Sequence, residues 1–126
     1  MDKNALVNRI GLLVVNDPAL AVPDWDGYAL IVRYGGGGIA RRISGFRYRD
    51  AGGYDAATPA SAELGDALDA LRDATQVPGE ARWDACVFRI RSDTRKVHVE
   101  FEYDAPDRWD VTPETLLDVV ERARPA

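Results

Sequence analysis

Residues 86–104, CVFRIRSDTRKVHVEFEYD, decide the fold that this sequence predicts. On both sides of the polar segment 92–96, every second residue is apolar: Cys86, Phe88, Ile90, Val97, Val99, Phe101 and Tyr103. Successive side chains of a strand point to opposite faces, so this alternation predicts a β-hairpin with one buried and one solvent-exposed face. If the turn lies at Asp93-Thr94, the facing residues form three apolar pairs: Ile90 with Val97, Phe88 with Val99, and Cys86 with Phe101.

Three segments in which apolar residues recur at helical spacing surround this hairpin. The first covers residues 3–15, and the second begins at Thr58-Pro59 and runs to about residue 76. The third begins at Thr112-Pro113-Glu114, and its apolar side consists of Leu116, Leu117, Val119 and Val120. Residues 23–27 predict a turn and residues 28–34 a strand. Residues 39–44 and 46–49 predict one strand broken at Gly45, or two strands, and the glycine run 35–38 is typical of a hairpin loop.

The predicted element order is α-β-β-(β)-α-β-β-α. It indicates an α+β fold, in which an antiparallel sheet of about four to five strands carries its helices on one face. The chain has 126 residues and is 46% hydrophobic and 29% charged, which suits one globular domain over residues 1–126. No segment approaches the roughly 18 apolar residues that span a bilayer, and the N-terminus lacks a signal-peptide pattern. A single cysteine, Cys86, excludes an internal disulfide, so we expect a cytoplasmic protein without a membrane partner.

Few residues suggest a chemistry of their own. His98, Glu100 and Glu102 share one predicted strand face, with Arg89 near His98 and diagonal to Glu100. A metal site uses such residues, but the chain has one histidine, and salt pairs on an exposed face explain the pattern more simply. Cys86 belongs to the apolar face and is expected to be a buried, inert thiol. We therefore expect no enzymatic activity, no cofactor and no metal, although a small enzyme or ligand-binding domain is one of three hypotheses.

Charge is unevenly distributed along this chain, whose formal net charge is -5. Residues 33–49 hold five arginines and no acid. One interpretation is a nucleic-acid-binding strand surface built from Arg41, Arg42, Arg47, Phe46 and Tyr48. The interpretation favoured in an acidic chain is an outward strand face whose arginines pair with carboxylates elsewhere.

The opposite pole of charge is residues 100–110, where Arg108 is the only base. The acids there are Glu100, Glu102, Asp104, Asp107 and Asp110, and Trp109 lies among them. An acidic rim around an aromatic anchor suits binding to a basic protein surface, whereas the alternative is solubilising charge with Trp109 in the core. We take these five acids and Trp109 as candidate partner-binding residues, with Trp25 as a weaker candidate.

Two stretches, WDACVFRIRSD at 83–93 and VHVEFEYD at 97–104, resemble the YezG-like family of bacterial antitoxin/immunity proteins. That family shows a tryptophan leading into a strand, a Ser-Asp-Gly-Lys turn, and an alternating strand that ends in an acidic-Tyr-acidic group. Residues 22–25, VPDW, before a strand are also similar, so the resemblance covers about residues 3–104. Thr94-Arg95 departs from the family's turn glycine, and the arginine-rich middle and the glycine run are not expected of the family.

This resemblance implies a non-enzymatic immunity protein that neutralises a cognate toxin domain, often a nuclease, made in the same cell. The implied mechanism is tight non-covalent binding that occludes the toxin's active site, with no catalytic residue carried over. Its partner is then a protein, and no direct contact with nucleic acid is expected. The alternative function is the nucleic-acid-binding module that uses the Arg/aromatic strand surface.

Overall fold

The computed structural model describes residues 2–21, 25–35 and 41–125. Its helices are α1 (Lys3–Val15), α2 (Ala62–Ala74) and α3 (Leu116–Ala123), with short 3₁₀ turns at Pro18–Leu20 and Pro106–Trp109. Its strands are β1 (Gly27–Tyr34), β2 (Arg41–Tyr48), β3 (Tyr54–Ala56), β4 (Ala85–Arg91) and β5 (Val97–Glu102). They form one sheet in the order β3-β2-β1-β4-β5, and every neighbouring pair is antiparallel. The α+β class and the element order predicted from the sequence are confirmed.

The central strand β1 is covered on both faces of the sheet, which corrects the expectation that all helices share one face. Leu30 and Val32 belong to the core cluster that includes buried residues of α1 and α2. Ala29 and Ile31, which point the other way, belong to a second cluster with Trp109 and buried residues of α3. The molecule therefore has three layers, with an α1–α2 face and an α3 face. The apolar run in β1 is the local sign of this arrangement, because a strand buried on both sides does not alternate.

The predicted register of the β4–β5 hairpin is confirmed. Ile90 pairs with Val97, Phe88 with Val99, and Cys86 with Phe101, and Arg89 lies opposite His98. The expectation that the second face of this hairpin is solvent-exposed holds for His98 of β5, but not for Glu102 or for β4. Ala85 and Val87 of β4 lie fully buried beneath the α3 layer.

Two helix starts differ from the predicted caps. The N-cap of α2 is Ser61, whose side chain accepts a hydrogen bond from the Leu64 N–H. The Thr58 hydroxyl instead accepts from Gly45 N–H of β2 at 3.1 Å, because residues 57–58 run alongside that strand. Helix α3 begins at Leu116 after Thr115, and its Leu117 side chain, predicted to be on the apolar side, is 69% exposed.

The loop that joins β1 to β2 was predicted from glycines. The two strands pair from Gly27 with Tyr48 to Tyr34 with Arg41, as a hairpin requires. Residues 36–40 of the predicted loop and strand start, and residues 23–24 of the predicted turn, lie outside the described residues.

Three buried tyrosines fasten the sheet to its surroundings through their hydroxyl groups. Tyr28 donates to the Ala57 carbonyl, Tyr34 to the Asp69 carboxylate and Tyr48 to the Val120 carbonyl, each at 2.7 Å. Burial is the main cause that raises the pKa of all three phenols far above the usual value. These contacts tie β1 and β2 to the start of the α2 connection, to α2 and to α3.

We expect the protein to unfold cooperatively as the pH rises above about 10, the usual tyrosine pKa in an unfolded chain. Because the folded-state pKa of Tyr28, Tyr34 and Tyr48 is raised, the unfolded chain releases their protons first. The stability that they confer is complete below about pH 10 and falls above it, by up to about 1.4 kcal/mol per pH unit for each tyrosine. Tyrosinate absorbance and circular dichroism, recorded together, check this. Ionisation of all the tyrosines with an unchanged dichroism spectrum would contradict it.

Candidate functional site

The acidic segment, residues 100–110, starts on β5 and ends where the second 3₁₀ turn packs on the α3 face. Glu100 and Glu102 lie on β5, Asp104 follows the end of the strand, Asp107 lies in the 3₁₀ turn, and Asp110 caps its end. The structure thus brings the five predicted acids together along one border of the molecule, which we call the acidic border. The border runs from the β5 edge to the end of β1 that carries Arg33.

Most of these carboxylates are bound by arginines of the same chain. Glu100 pairs with Arg89 at 2.9 Å, and Arg33 of β1 binds both Asp107 at 2.6 Å and Asp110 at 2.9 Å. These pairs fix the position of the 3₁₀ turn against the sheet. They also lower the local negative charge, so the segment is less acidic in space than its sequence suggests.

Exposure separates the acids into two groups. The Asp107 side chain is 86% exposed in spite of its ion pair, and Asp104 is exposed with no ion-pair partner among the described residues. The Glu102 side chain is only 13% exposed, lies 3.5 Å from Arg108, and accepts long hydrogen bonds from the Asp104 and Ala105 N–H groups. Asp104 and Asp107 are therefore accessible to a partner, whereas Glu102 organises the turn.

Arg89 joins three elements next to this border. Its guanidinium donates to Glu100 on β5 at 2.9 Å and to the carbonyls of Arg122 and Ala123 on α3 at 3.0 and 3.1 Å. The last carbonyls of a helix lack intrahelical partners and carry partial negative charge, so a cation there is favourable. Arg89 thereby holds the end of α3 and the Glu100 side chain in fixed positions.

Both candidate tryptophans are core residues. Trp109 is 1% exposed, and the guanidinium carbons of Arg89, Arg108 and Arg122 lie within 5.8 Å of its ring centre. Trp25 is 7% exposed and belongs to the core of the α1–α2 face. The interpretation of Trp109 as a surface anchor is wrong, because its indole fills the layer between the sheet and α3. Neither indole is available to a partner of the folded protein.

Tyr103 is an exposed aromatic residue that was not among the candidates predicted from the sequence. Its position continues the apolar alternation of β5, which predicts a buried side chain. The strand ends at Glu102, so Tyr103 leaves the sheet, and its side chain is 52% exposed between Glu102 and Asp104. The change from regular alternation to Asp104-Ala105-Pro106 was the available signal that the strand ends here.

The arginines between residues 33 and 49 are largely paired with carboxylates, as favoured from the sequence. Arg41 binds Asp69 at 2.8 Å, and Arg47 and Arg49 both bind Asp55, the latter at 3.0 Å. Arg42 is exposed. The rings of Phe46 and Tyr48 lie buried on the α3 face at 4% and 2% exposure. The strand surface therefore lacks the exposed aromatic rings on which bases would stack.

Among the residues that the structure describes, the remaining groups that could be reactive or bind a ligand form no site with the acidic segment. Burial raises the pKa of the Cys86 thiol, which keeps it protonated and unreactive in the folded chain. Among residues 2–21, 25–35 and 41–125, no three His, Cys, Asp or Glu side chains converge on a position that could hold a metal ion. Two open grooves of about 660 and 670 Å³ lie beside α1 and at the turn end of the β4–β5 hairpin, and the acidic segment lines neither of them.

None of the helices in the described part of the chain is both long and apolar enough to cross a membrane. A comparison of the chain with protein-family models finds no match, and a comparison with curated protein sequences finds none.

Proposed function

We propose that this protein is a bacterial immunity or antitoxin protein that neutralises a cognate toxin domain by tight non-covalent binding and occlusion of the toxin's active site. The observation that carries the proposal is the exposed Tyr103 ring, which is followed in the chain by the exposed Asp104. The same acidic segment holds the solvent-facing carboxylate of Asp107. Tyr103 and Asp104 also belong to the stretch 97–104 that resembles the YezG-like immunity proteins. The proposal makes the protein a cytoplasmic inhibitor with no reaction of its own.

The acidic border suits a toxin that acts on nucleic acid. A nuclease binds phosphates through a basic surface, and carboxylates held at fixed positions can occupy that surface in their place. Complementary charge also accelerates the encounter of the two proteins. We therefore propose a nuclease or another nucleic-acid-targeting toxin as the partner.

The internal ion pairs contribute to this function by keeping the border rigid. Arg33 holds Asp107 and Asp110, and Arg89 holds Glu100, before any partner arrives. A surface that is already ordered loses less conformational entropy on binding, which favours a tight complex. In this proposal Tyr103, Asp104, Asp107 and Glu100 contact the toxin, while Glu102 and Asp110 act as positioning residues.

We expect Tyr103→Ala to weaken binding to the toxin domain encoded beside this gene by about 30-fold or more, since a central aromatic anchor contributes on the order of 2 kcal/mol. The matched control is Leu117→Ala, which removes another large exposed side chain, from α3. Surface plasmon resonance with the purified toxin domain measures both variants. Equal affinity for the two variants would remove Tyr103 from the interface.

We expect Asp104→Lys to slow association with the same toxin domain and to reduce its salt dependence, because a steering charge is reversed. Asp66→Lys on α2 is the matched control, since it makes the same charge change at an exposed site on the α1–α2 face. Co-expression with the toxin in growing cells gives a second readout, in which the wild-type protein restores growth. Failure of the wild-type protein to bind or protect against the neighbouring toxin would contradict the proposed function itself.

A further inference from the structure

The outer edge of β5 is the long open edge of the sheet. The sheet ends on one side at β3, which has three residues, and on the other side at β5, which has six. Among the described residues, no hydrogen bond is made to the outer side of the β5 backbone. An unpaired strand of this length presents a row of N–H and C=O groups that can pair with another strand. Among the devices that keep such an edge monomeric, β5 lacks proline, a bulge and a very short strand. It does carry charged residues, and their order along the strand decides whether they oppose pairing.

The side chains of β5 and the residue before it form a pattern that complements its own reverse. From Lys96 to Glu102 the sequence is KVHVEFE, so basic groups occupy the first half of the polar face and acidic groups the second. Placed antiparallel to a second copy about a two-fold axis through Val99, each residue meets a suitable partner. The pairs are Lys96 with Glu102, Val97 with Phe101, His98 with Glu100, and Val99 with Val99, and the first three occur twice. Glu100 and Glu102 already contact Arg89 and Arg108, so His98 and Lys96 of the second copy would join these ion pairs at the edge.

This match is most complete in one register. An axis one residue further, at Glu100, faces Lys96 with Asp104 and His98 with Glu102, but it sets two Glu100 carboxylates directly against each other, which is destabilising. An axis at His98 places Glu102 opposite Thr94 and removes its cationic partner. The strand therefore favours the Val99 axis by charge as well as by apolar pairing.

The exposure of β5 is consistent with a missing neighbour. Val97, Val99 and Phe101 lie on the α1–α2 face and are only partly buried, in contrast with the fully buried Cys86 and Phe88 of β4. On the α3 face, Lys96 and His98 are exposed, and neither side chain has a hydrogen-bond or ion-pair partner among the described residues. A second strand alongside β5 would cover the apolar residues and place Lys96 and His98 opposite carboxylates.

We propose that two copies of this chain pair through β5 about a two-fold axis at Val99 and form one continuous ten-stranded antiparallel sheet. The contact is a strand-to-strand addition held by main-chain hydrogen bonds, with the side-chain pairs setting the register. A six-residue edge buries less area than a stable interface of about 1,200–2,000 Å², so the dimer forms with a dissociation constant on the order of micromolar. Glu100 takes part both in this contact and in the proposed toxin surface, so self-association and toxin binding compete.

Sedimentation velocity of the full-length protein over a range of concentrations tests the pairing. The wild-type protein is expected to convert from the 13.9 kDa monomer to a dimer of twice that mass, and added salt should weaken the dimer. Lys96→Glu sets a carboxylate against Glu102 at two symmetric positions and should weaken the dimer about tenfold or more. Lys3→Glu makes the same change at an exposed site on α1 and should leave the dimer intact. A wild-type protein that stays monomeric at millimolar concentration, or equal effects of the two variants, would overturn the proposal.

A cysteine scan of the axis tests the register separately. Facing residues of antiparallel strands have Cβ atoms about 4.5–5.5 Å apart, and a disulfide spans about 3.5–4.5 Å, so a small shift of the two strands lets them cross-link. Val99→Cys should therefore give a disulfide-linked dimer when oxidised with copper phenanthroline in air. Val77→Cys, at an exposed position between α2 and β4, is the control and should not cross-link under the same conditions. The native Cys86 is fully buried and does not compete. Equal cross-linking at the two positions, or none at Val99→Cys, would rule out this register.

Discussion

Trp109→Ala is expected to lower the free energy of unfolding by about 3–5 kcal/mol, the usual cost of truncating a buried tryptophan to alanine. The indole is 1% exposed and shares the core of the α3 face with Ile31, Val87 and Val120. Its Nε1 is buried without a hydrogen-bond partner among the described residues, so the loss is one of packing and not of a hydrogen bond. Urea denaturation measures the change.

The comparison variant is Trp109→Phe, which keeps an aromatic ring and should lose much less stability than the alanine variant. A domain of this size is stable by about 5–15 kcal/mol, so the alanine variant loses a large fraction of the total. Its residual folded population should also hold the 3₁₀ turn and Asp107 less firmly. A loss below about 1 kcal/mol would contradict the buried position of Trp109 and favour its interpretation as a surface contact residue.

Gly45→Ala is expected to cost about 2–4 kcal/mol, since overpacking and the loss of a buried hydrogen bond add together. A Cβ atom on Gly45 would lie closer than 3.0 Å to the Tyr28 hydroxyl and to the Ala57 carbonyl oxygen. These two groups are joined by the 2.7 Å hydrogen bond that fastens β1 to the segment after β3. The Ala57 oxygen is part of the backbone, and Ala57 N–H also bonds Gly45 at 2.8 Å, so the clash is not relieved by a side-chain rotation alone.

The matched control is Gly53→Ala, at a position where an added Cβ meets no atom within 4 Å. Thermal and urea unfolding should show a change of at most about 0.5 kcal/mol for this variant. A double variant with Tyr28→Phe identifies the cause, because removal of the hydroxyl relieves part of the clash. The two effects should then sum to more than the loss in the double variant. Equal stability of the two glycine variants would show that the Tyr28 hydroxyl does not pack against Gly45.

The acidic border shows which part of the charge distribution can be predicted from the sequence. The concentration of acids at residues 100–110 was visible in the sequence, and so was the absence of acids between residues 33 and 49. The sequence did not show that Arg33 binds Asp107 and Asp110, because these residues meet only when the 3₁₀ turn packs on β1. Charge that is separated by more than 70 residues along the chain is thus partly cancelled in space.

Local periodicity by itself determined the β4–β5 hairpin, its register and the existence of three helices, because the alternation of a strand and the spacing of a helix are properties of neighbouring residues. Only the tertiary structure decided which face each helix covers. Helix α3 packs opposite α1 and α2, which buries Trp109, Phe46 and Tyr48 and leaves Tyr103 as the exposed ring of the border. The physical reason is that burial depends on where elements distant in sequence pack. The apolar side chains on both faces of β1 were the local sign that helices would cover both faces of the sheet.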